Sequence, residues 1–300
     1  MERHKPVLLQ ESINSLSIQP NSTILDATIG TGGHTREIIA AMRSGTVVAL
    51  DTDATALAEA KEHLNSVQDS ITVHFVEENF RNIRKVSHAL DIQSYDAVLA
   101  DLGWGSHQLA SGRGLSFMRD EVLNMCYSVH KDGCPVTALD VVNTFREPEL
   151  VGILREYGEE RWAVRIVKHI IDARKQNVIT TTKQLEDIVS GAIPRKLHPK
   201  NTHAATKTFQ AIRIVVNDEI SALKEFMDSI KDLMRAEARI TIISFHSLED
   251  RIVKHTFREW ERNGLGKRIT KKAVRPSLKE CADNPRARSA KLRTFTFTTI

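Results

Sequence analysis

Cysteine is scarce in this 300-residue chain: Cys126, Cys134 and Cys281 are the only three. No two of them stand in a Cys-x-x-Cys pair, which argues against a zinc knuckle and against a disulfide framework, and points to a reducing compartment. No metal site is expected. No run approaches the roughly 18 apolar residues that cross a bilayer. The start, Met1-Glu2-Arg3-His4-Lys5-Pro6-Val7, has neither the apolar stretch of a signal peptide nor an Arg/Ser-rich transit pattern. The expectation is a cytoplasmic protein without a membrane partner. Excess charge is also small: the formal net charge is only +4, so overall charge argues weakly for an anionic ligand. Its distribution argues more. Lys267 to Arg293 holds ten Lys/Arg against Glu280 and Asp283, and Gly191 to Val216 holds five Lys/Arg, two His and no acid. Two such stretches suit a phosphate-rich partner, although a solvated basic surface is the plainer reading of each.

What is present starts with Asp26-Ala27-Thr28-Ile29-Gly30-Thr31-Gly32-Gly33-His34, between a strand pattern (Thr23 to Leu25) and a helix pattern (Ile38 to Met42). Glycines at a strand-to-helix turn let backbone approach a ligand, and the helix start behind them offers unpaired N–H groups. Twenty-one residues after Gly30, the apolar run Thr46 to Leu50 ends in Asp51, where a carboxylate can take the hydroxyls of an adenosine ribose. The turn is no P-loop, because no Gly-Lys-Ser/Thr follows. It also lacks the third glycine of a dinucleotide fingerprint, although an NAD-dependent oxidoreductase stays open on these residues alone.

Strand patterns at Ile24 to Thr28, Thr46 to Asp51, Ile71 to Val76 and Ala97 to Asp101 alternate with helix patterns at Thr35 to Met42 and Ala54 to Leu64, which means βαβ units and a mostly parallel sheet. From Gly105 to Lys200 no strand is expected. Helices are expected at Pro148 to Tyr157, Glu159 to Ala173 and Lys183 to Gly191, the last with a capping box from Thr181 and Gln184. Helices at Ala204 to Val216 and Ser221 to Met234 follow. Then come a buried strand Arg239 to Phe245, a helix Leu248 to Trp260 capped by Ser247 and Asp250, and a final strand Arg293 to Thr298. The architecture expected is α/β, one doubly wound sheet domain (1–105 and 201–300) interrupted by a helical domain (106–200).

Three further segments could carry chemistry. Asp101-Leu102-Gly103-Trp104 ends the fourth strand, where ligands of open α/β sheets bind. A carboxylate there can accept an amino N–H and an aromatic ring can stack on a base, in the manner of the Asp/Asn-Pro-Pro-aromatic motif of amino-group methyltransferases; a simple cap is the alternative. Thr202 to Asn217 places Lys207 and Arg213 on a helix that either contacts phosphate or presents a solvated basic face. Ser244-Phe245-His246-Ser247-Leu248-Glu249-Asp250-Arg251 follows the fifth strand, with His246 a general base, a substrate contact or a structural histidine.

Together these segments resemble the bacterial RsmH (MraW) 16S rRNA cytosine-N4 methyltransferases nearly end to end. The resemblance is carried by His4-Lys5-Pro6-Val7-Leu8-Leu9, Gly32-Gly33-His34, Asp101-Leu102-Gly103, Gln108-Leu109, Arg113-Gly114-Leu115-Ser116-Phe117, Gly158-Glu159-Glu160-Arg161, Thr206 to Asn217, Ser244 to Lys254, and Asn284-Pro285-Arg286-Ala287-Arg288-Ser289-Ala290. It implies a Rossmann-like class I methyltransferase sheet with S-adenosylmethionine as cofactor, and as substrate a cytosine in the decoding region, on 16S rRNA or the small ribosomal subunit. It implies cofactor contacts at Gly32, Gly33, His34, Asp51, Phe80, Asp101 and Gln108. Asp101, Trp104 and His246 are then the catalytic candidates, and Lys207, Arg213, Arg251, Arg286 and Arg288 the RNA contacts. A homodimer is compatible with it.

The sequence departs from the family pattern twice. Trp104-Gly105-Ser106-His107 stands where Val-Ser-Ser-Pro is usual, and Leu123-Asn124-Met125-Cys126-Tyr127 where Leu-Asp-Met-Arg-Met is usual. These changes keep a second reading in view: a non-catalytic RNA-binding or ribosome-assembly protein with a vestigial cofactor pocket.

Overall fold

A computed structural model of the chain describes residues 5–64, 70–109, 111–128, 134–200 and 202–298. His4, part of the first family-like string, and Asn201, where the second sheet segment was expected to begin, lie outside the described residues. The chain divides into two compact units, residues 1–105 with 220–300, and residues 106–219.

The first unit is built on one seven-stranded sheet. Its first half runs α1 (Leu9–Leu16), β1 (Thr23–Asp26), α2 (Gly33–Ala40), β2 (Gly45–Asp51), α3 (Ala54–His63), β3 (Ile71–Glu77), α4 (Ile83–Ala89) and β4 (Tyr95–Asp101). After the second unit the sheet is completed, with α11 (Glu219–Ile230) leading into β5 (Met234–Ser244), α12 (Ser247–Arg262), β6 (Gly266–Arg268), α13 (Leu278–Asp283) and β7 (Lys291–Phe297). Strand order is β3-β2-β1-β4-β5-β7-β6. The first five strands are parallel; β7 runs antiparallel between β5 and β6.

The parallel strands are apolar on both faces because helices cover both. Successive residues point to opposite sides, so Ile24, Val47, Ala49 and Leu99 join α1, α2 and α3 in one core, while Leu25, Val48, Leu50, Val98 and Ile242 join α4, α11 and α12 in the other. The chain leaves β1 toward β2 and β3, then returns to β4 on the other side of β1. That reversal opens a crevice at the carboxyl ends of β1 and β4, the place where such sheets bind ligands.

The second unit is helical: α5 (Ser106–Leu109), α6 (Ala138–Thr144), α7 (Glu147–Glu156), α8 (Ala163–Gln176), α9 (Thr182–Ala192) and α10 (Thr206–Asn217). Its own core is made by Val141, Leu154, Ile166, Ile170, Leu185, Val189, Phe209 and Ile212. No strand forms between 106 and 200 among the described residues; Val122 and Thr181 make one isolated bridge. The capping box of Thr181 with Gln184 is present. The boundary expected near residue 201 moves: α10 belongs to the helical unit, because Phe209, Ile212 and Val216 are buried in that unit's core. The short elements α1, α4 and β6 escape sequence periodicity because each is only three to eight residues long.

The cysteine expectation is corrected. Cys126 and Cys134 form a disulfide across a separation of eight residues, and Cys281 is free. Spacing alone hides the pairing. The chain turns back through Met125, whose φ is +63°, and Asn217 holds the segment beside Cys126, its Oδ1 accepting from Tyr127 N and its Nδ2 donating to Met125 O. Denatured in the absence of reductant, the protein should therefore titrate with one free thiol per chain rather than three, and with three after reduction. Three thiols before reduction would show that the bridge does not form.

Candidate active site at the carboxyl edge of the sheet

The glycine turn between β1 and α2 is held by carboxylates on either side. Asp51, at the end of β2, accepts from Gly30 N through Oδ2 and from Asp53 N through Oδ1, both at 2.9 Å. Asp26, at the end of β1, accepts from Thr35 Oγ1 at 2.6 Å and from Thr28 N at 3.2 Å. Thr28 Oγ1 in turn accepts from Asp101 N at 2.7 Å, tying the turn to the end of β4. Gly32 caps α2 at φ +84°, a backbone that a side chain would strain. At Gly33 the reason for glycine is contact: a Cβ there would stand 2.4 Å from Pro6 Cγ.

That contact brings the N-terminal segment across the turn. His34 Nε2 lies 3.1 Å from Val7 O. A carbonyl only accepts, so Nε2 carries the proton and a neutral imidazole turns its Nδ1 lone pair the other way. Nδ1 is 3.8 Å from Asp101 Oδ2. Leu8 N donates to Glu280 Oε1 and Asn284 Nδ2 to Lys5 O, so the same segment is fastened to the basic tail. Val7, Leu8, Ile243, Ala287, Ala290 and Leu292 form a small core there. Burial of Ala287 within a 3-10 turn, Pro285–Ser289, presents its neighbour Arg286 toward the strand ends.

Arg286 is consequently not the exposed phosphate contact that the basic tail suggests. Its guanidinium carbon is 4.5 Å from the centre of the Trp104 ring, and Nη2 donates to Trp104 O. Nη1 is buried without a hydrogen-bond partner. Asp101 shows the converse: 18% of its side chain meets solvent, yet Oδ1 is fully buried and has no partner. Burial pushes the Asp101 carboxyl from 3.8 up to about 8, the negative charge of Asp26 adds to the rise, and the Arg286 charge opposes it. Burial likewise raises Asp26 to about 6, against the hydrogen bond from Thr35. Burial lowers the Arg286 pKa below its ordinary value.

Of the other candidates, Phe80 is half-buried just beyond β3 and meets Phe226 edge-on at 5.2 Å. Gln108 is buried in α5 of the helical unit. His246 is the N-cap of α12, a position expected for Ser247: its Nδ1 accepts from Glu249 N, and the Glu249 carboxylate accepts from His246 N in return. Its Nε2 lies 3.2 Å from Glu249 Oε1 without hydrogen-bond alignment. These contacts make His246 a helix cap. Arg213 makes a two-pronged pair with Glu219 at 2.8 and 2.9 Å, and both side chains are largely buried. Lys207 is exposed and donates to Glu159 O. Arg251 and Arg288 are exposed.

The sheet order, the switch-point crevice and this rim of carboxylates define a methyltransferase-type α/β domain. The MraW methylase family profile matches residues 1–298, and the chain belongs to the MraW methylase family. It is 42% identical over 310 residues to the Ribosomal RNA small subunit methyltransferase H of Halothermothrix orenii, covering 98% of each chain. It is 40% identical to that of Clostridioides difficile, over 97% of each, and 41% identical to that of Symbiobacterium thermophilum, over 97% of this chain and 95% of the other. The protein is therefore a methyltransferase that uses S-adenosylmethionine, and the oxidoreductase reading falls. The residues present fit that cofactor. A positive-φ turn opens a helix, a carboxylate stands at the end of β2, and an aromatic ring lies beyond β3. Among the described residues no helix is long and apolar enough to cross a membrane.

The raised Asp101 pKa has a consequence for stability. A carboxyl with a higher pKa folded than unfolded binds more protons when folded, so its contribution is full below about 4 and is lost as pH rises through about 8. Asp101→Asn removes the charge that must be desolvated. Scanning calorimetry without ligand should find the variant melting a few degrees above wild type at pH 8.5 (~3–8 °C), with the gap closing toward pH 4. A gap that does not change with pH would refute the buried, raised carboxyl.

Proposed function

We propose that this chain transfers a methyl group from S-adenosylmethionine to N4 of a cytosine in the decoding region of 16S rRNA. The observation that carries the reading is the unpartnered, buried Oδ1 of Asp101 at the switch point of the sheet. A buried acceptor without a donor costs about 1–3 kcal/mol, and a substrate amino group is the donor it lacks. The names of the full-length relatives support the small-subunit RNA as the molecule on which that amine is carried.

When bound, the cofactor supplies an electrophilic methyl group on a sulfonium. The chain's own part is to hold, orient and deprotonate. The Gly30–Gly32 backbone with Asp51 and Phe80 would hold the nucleoside end. Asp101 accepts an N4–H and so fixes the amine's lone pair toward the methyl carbon, a positioning effect. The proton released from the methylated nitrogen passes to the same carboxylate, whose pKa near 8 suits a base working near neutrality. His34, with Nε2 committed to Val7 O, lies beside Asp101, its Nδ1 3.8 Å from Oδ2. No covalent nucleophile is needed, which agrees with cysteines that are either paired or in the basic tail. The target base must leave any helical stack to reach the carboxylate. RNA is proposed to be held by shape and phosphate, with Lys207 of the helical unit and Arg251 and Arg288 of the sheet unit as contacts; Arg213 is instead engaged by Glu219.

Small subunits lacking the modification, incubated with methyl-labelled S-adenosylmethionine, should yield N4-methylcytidine on digestion and mass spectrometry. Asp101→Ala should lower the rate at least ~100-fold while cofactor binding persists. Cofactor and RNA binding without any product from wild type would favour the vestigial RNA-binding protein instead. In the active case, kcat/KM should climb about tenfold per pH unit below the Asp101 pKa and level off above about 8. A flat profile from pH 6 to 9 would remove Asp101 as the base.

A further inference from the structure

We infer that Arg286 reads the ring edge of the target base, donating from Nη1 to the ring nitrogen beside the amino group that Asp101 receives. The inference deepens the cytosine-N4 reading and rests on it. Two polar atoms in this region are buried and unpartnered: Asp101 Oδ1, an acceptor, and Arg286 Nη1, a donor. Buried polar groups are nearly always paired, so each orphan calls for an explanation. They also feel one another's charge. An acceptor at the end of β4 and a donor held on Trp104, three residues further along, match a ligand edge that offers the opposite order, an N–H donor next to a ring acceptor. Cytosine offers this with N4 and N3, and adenine with N6 and N1. Uracil and guanine present a carbonyl next to a ring N–H, which would set their oxygen against the carboxylate and their N–H against the guanidinium.

The guanidinium is built for such a task. The Trp104 ring sets its plane from one side, and the Trp104 carbonyl takes Nη2. The turn that carries Arg286 is anchored by Ala287 and Ala290, both fully buried. A base meeting Nη1 edge-on would lie in the guanidinium's own layer, over the rim of the same indole. This gives Trp104 a part other than free stacking platform: it orients the residue that recognises the base. Lysine could not replace the arrangement, having neither the planar fork nor the stacking face.

The plainer role for Arg286 is to pin the Trp104 backbone, and a chemical double-mutant cycle separates the two. Small subunits are reconstituted with cytidine or with 3-deazacytidine at the target position; the analogue keeps the N4 amine but has C–H in place of N3. Wild type should lose ~10- to 100-fold in kcat/KM on the analogue, the range for a hydrogen bond from a charged donor. Arg286→Met and Arg286→Lys should be slow on cytidine yet lose no more than about twofold further on the analogue, as one missing contact cannot be removed twice. These losses are taken after correction for the analogue's intrinsic amine reactivity, which affects every enzyme alike and cancels in the ratio of the wild-type loss to the variant loss. Calorimetric S-adenosylmethionine affinity and melting temperature verify that the variants are folded, and Arg286→Lys serves if the methionine variant is not. Equal losses on the analogue in wild type and variants, or no loss in wild type, would overturn the inference while leaving the cytosine reading intact. Absence of N4-methylcytidine from wild type on unmodified cytidine would overturn that reading, and this inference with it.

Discussion

The constraint on which the rest of the site depends is the burial of Asp101 at the end of a parallel strand. β4 lies between β1 and β5, so its last residue emerges into a crevice lined by backbone, by Asp26 and by apolar packing rather than into water. A second carboxylate nearby makes ionisation harder still. The surrounding structure moderates the cost without cancelling it. Thr28 takes the Asp101 N–H, Thr35 satisfies Asp26, and Arg286 brings a positive charge to bear on Asp101 from a distance that leaves the Oδ1 lone pairs open. A closer ion pair would stabilise the fold more and leave nothing to receive a substrate.

How that charge is brought there explains several segments that look unrelated along the chain. Pro6 occupies the space a side chain on Gly33 would need. Val7 O fixes the His34 tautomer, and Leu8, Ala287 and Ala290 share one small core with Ile243 near the end of β5. The two ends of the described chain therefore meet over the strand ends, and Arg286 reaches the site because of them. A change at Leu8 or Ala290 would act through the placement of Arg286, because both pack in the core that carries its turn.

The sheet was legible in the sequence because parallel strands covered on both faces are short uninterrupted apolar runs, and β1, β2 and β4 each end in an aspartate. The glycine turn, Asp51 and Asp101 were legible for the same reason: strand ends are where side chains must change character. Three things were not. Arg286 sits in a run of basic residues whose charge suggests a phosphate surface; only the burial of Ala287 turns it inward. His246 was passed over as a helix cap in favour of Ser247, since histidine is a rare N-cap, although the His-x-x-Glu spacing of a capping box was there to be read. The Cys126–Cys134 bridge closes through a turn at Met125 and through Asn217, which is far away in sequence. Spacing carries no trace of it.

The two departures from the family pattern look different once placed. Trp104 lies against Arg286 and contributes a backbone acceptor as well as a ring. Asn124 accepts from Cys126 N, and Cys126 itself is tied to Cys134, so a segment that lacks the usual acid and arginine is held by an amide and a covalent link instead. Both changes exchange one way of fixing a loop for another. Neither removes the Asp101 carboxylate or the Arg286 guanidinium from the end of β4. The altered strings therefore weigh against the vestigial reading rather than for it: a site retained only as a relic has no reason to keep two unpaired buried polar atoms, and the simplest drift would neutralise or expose one of them.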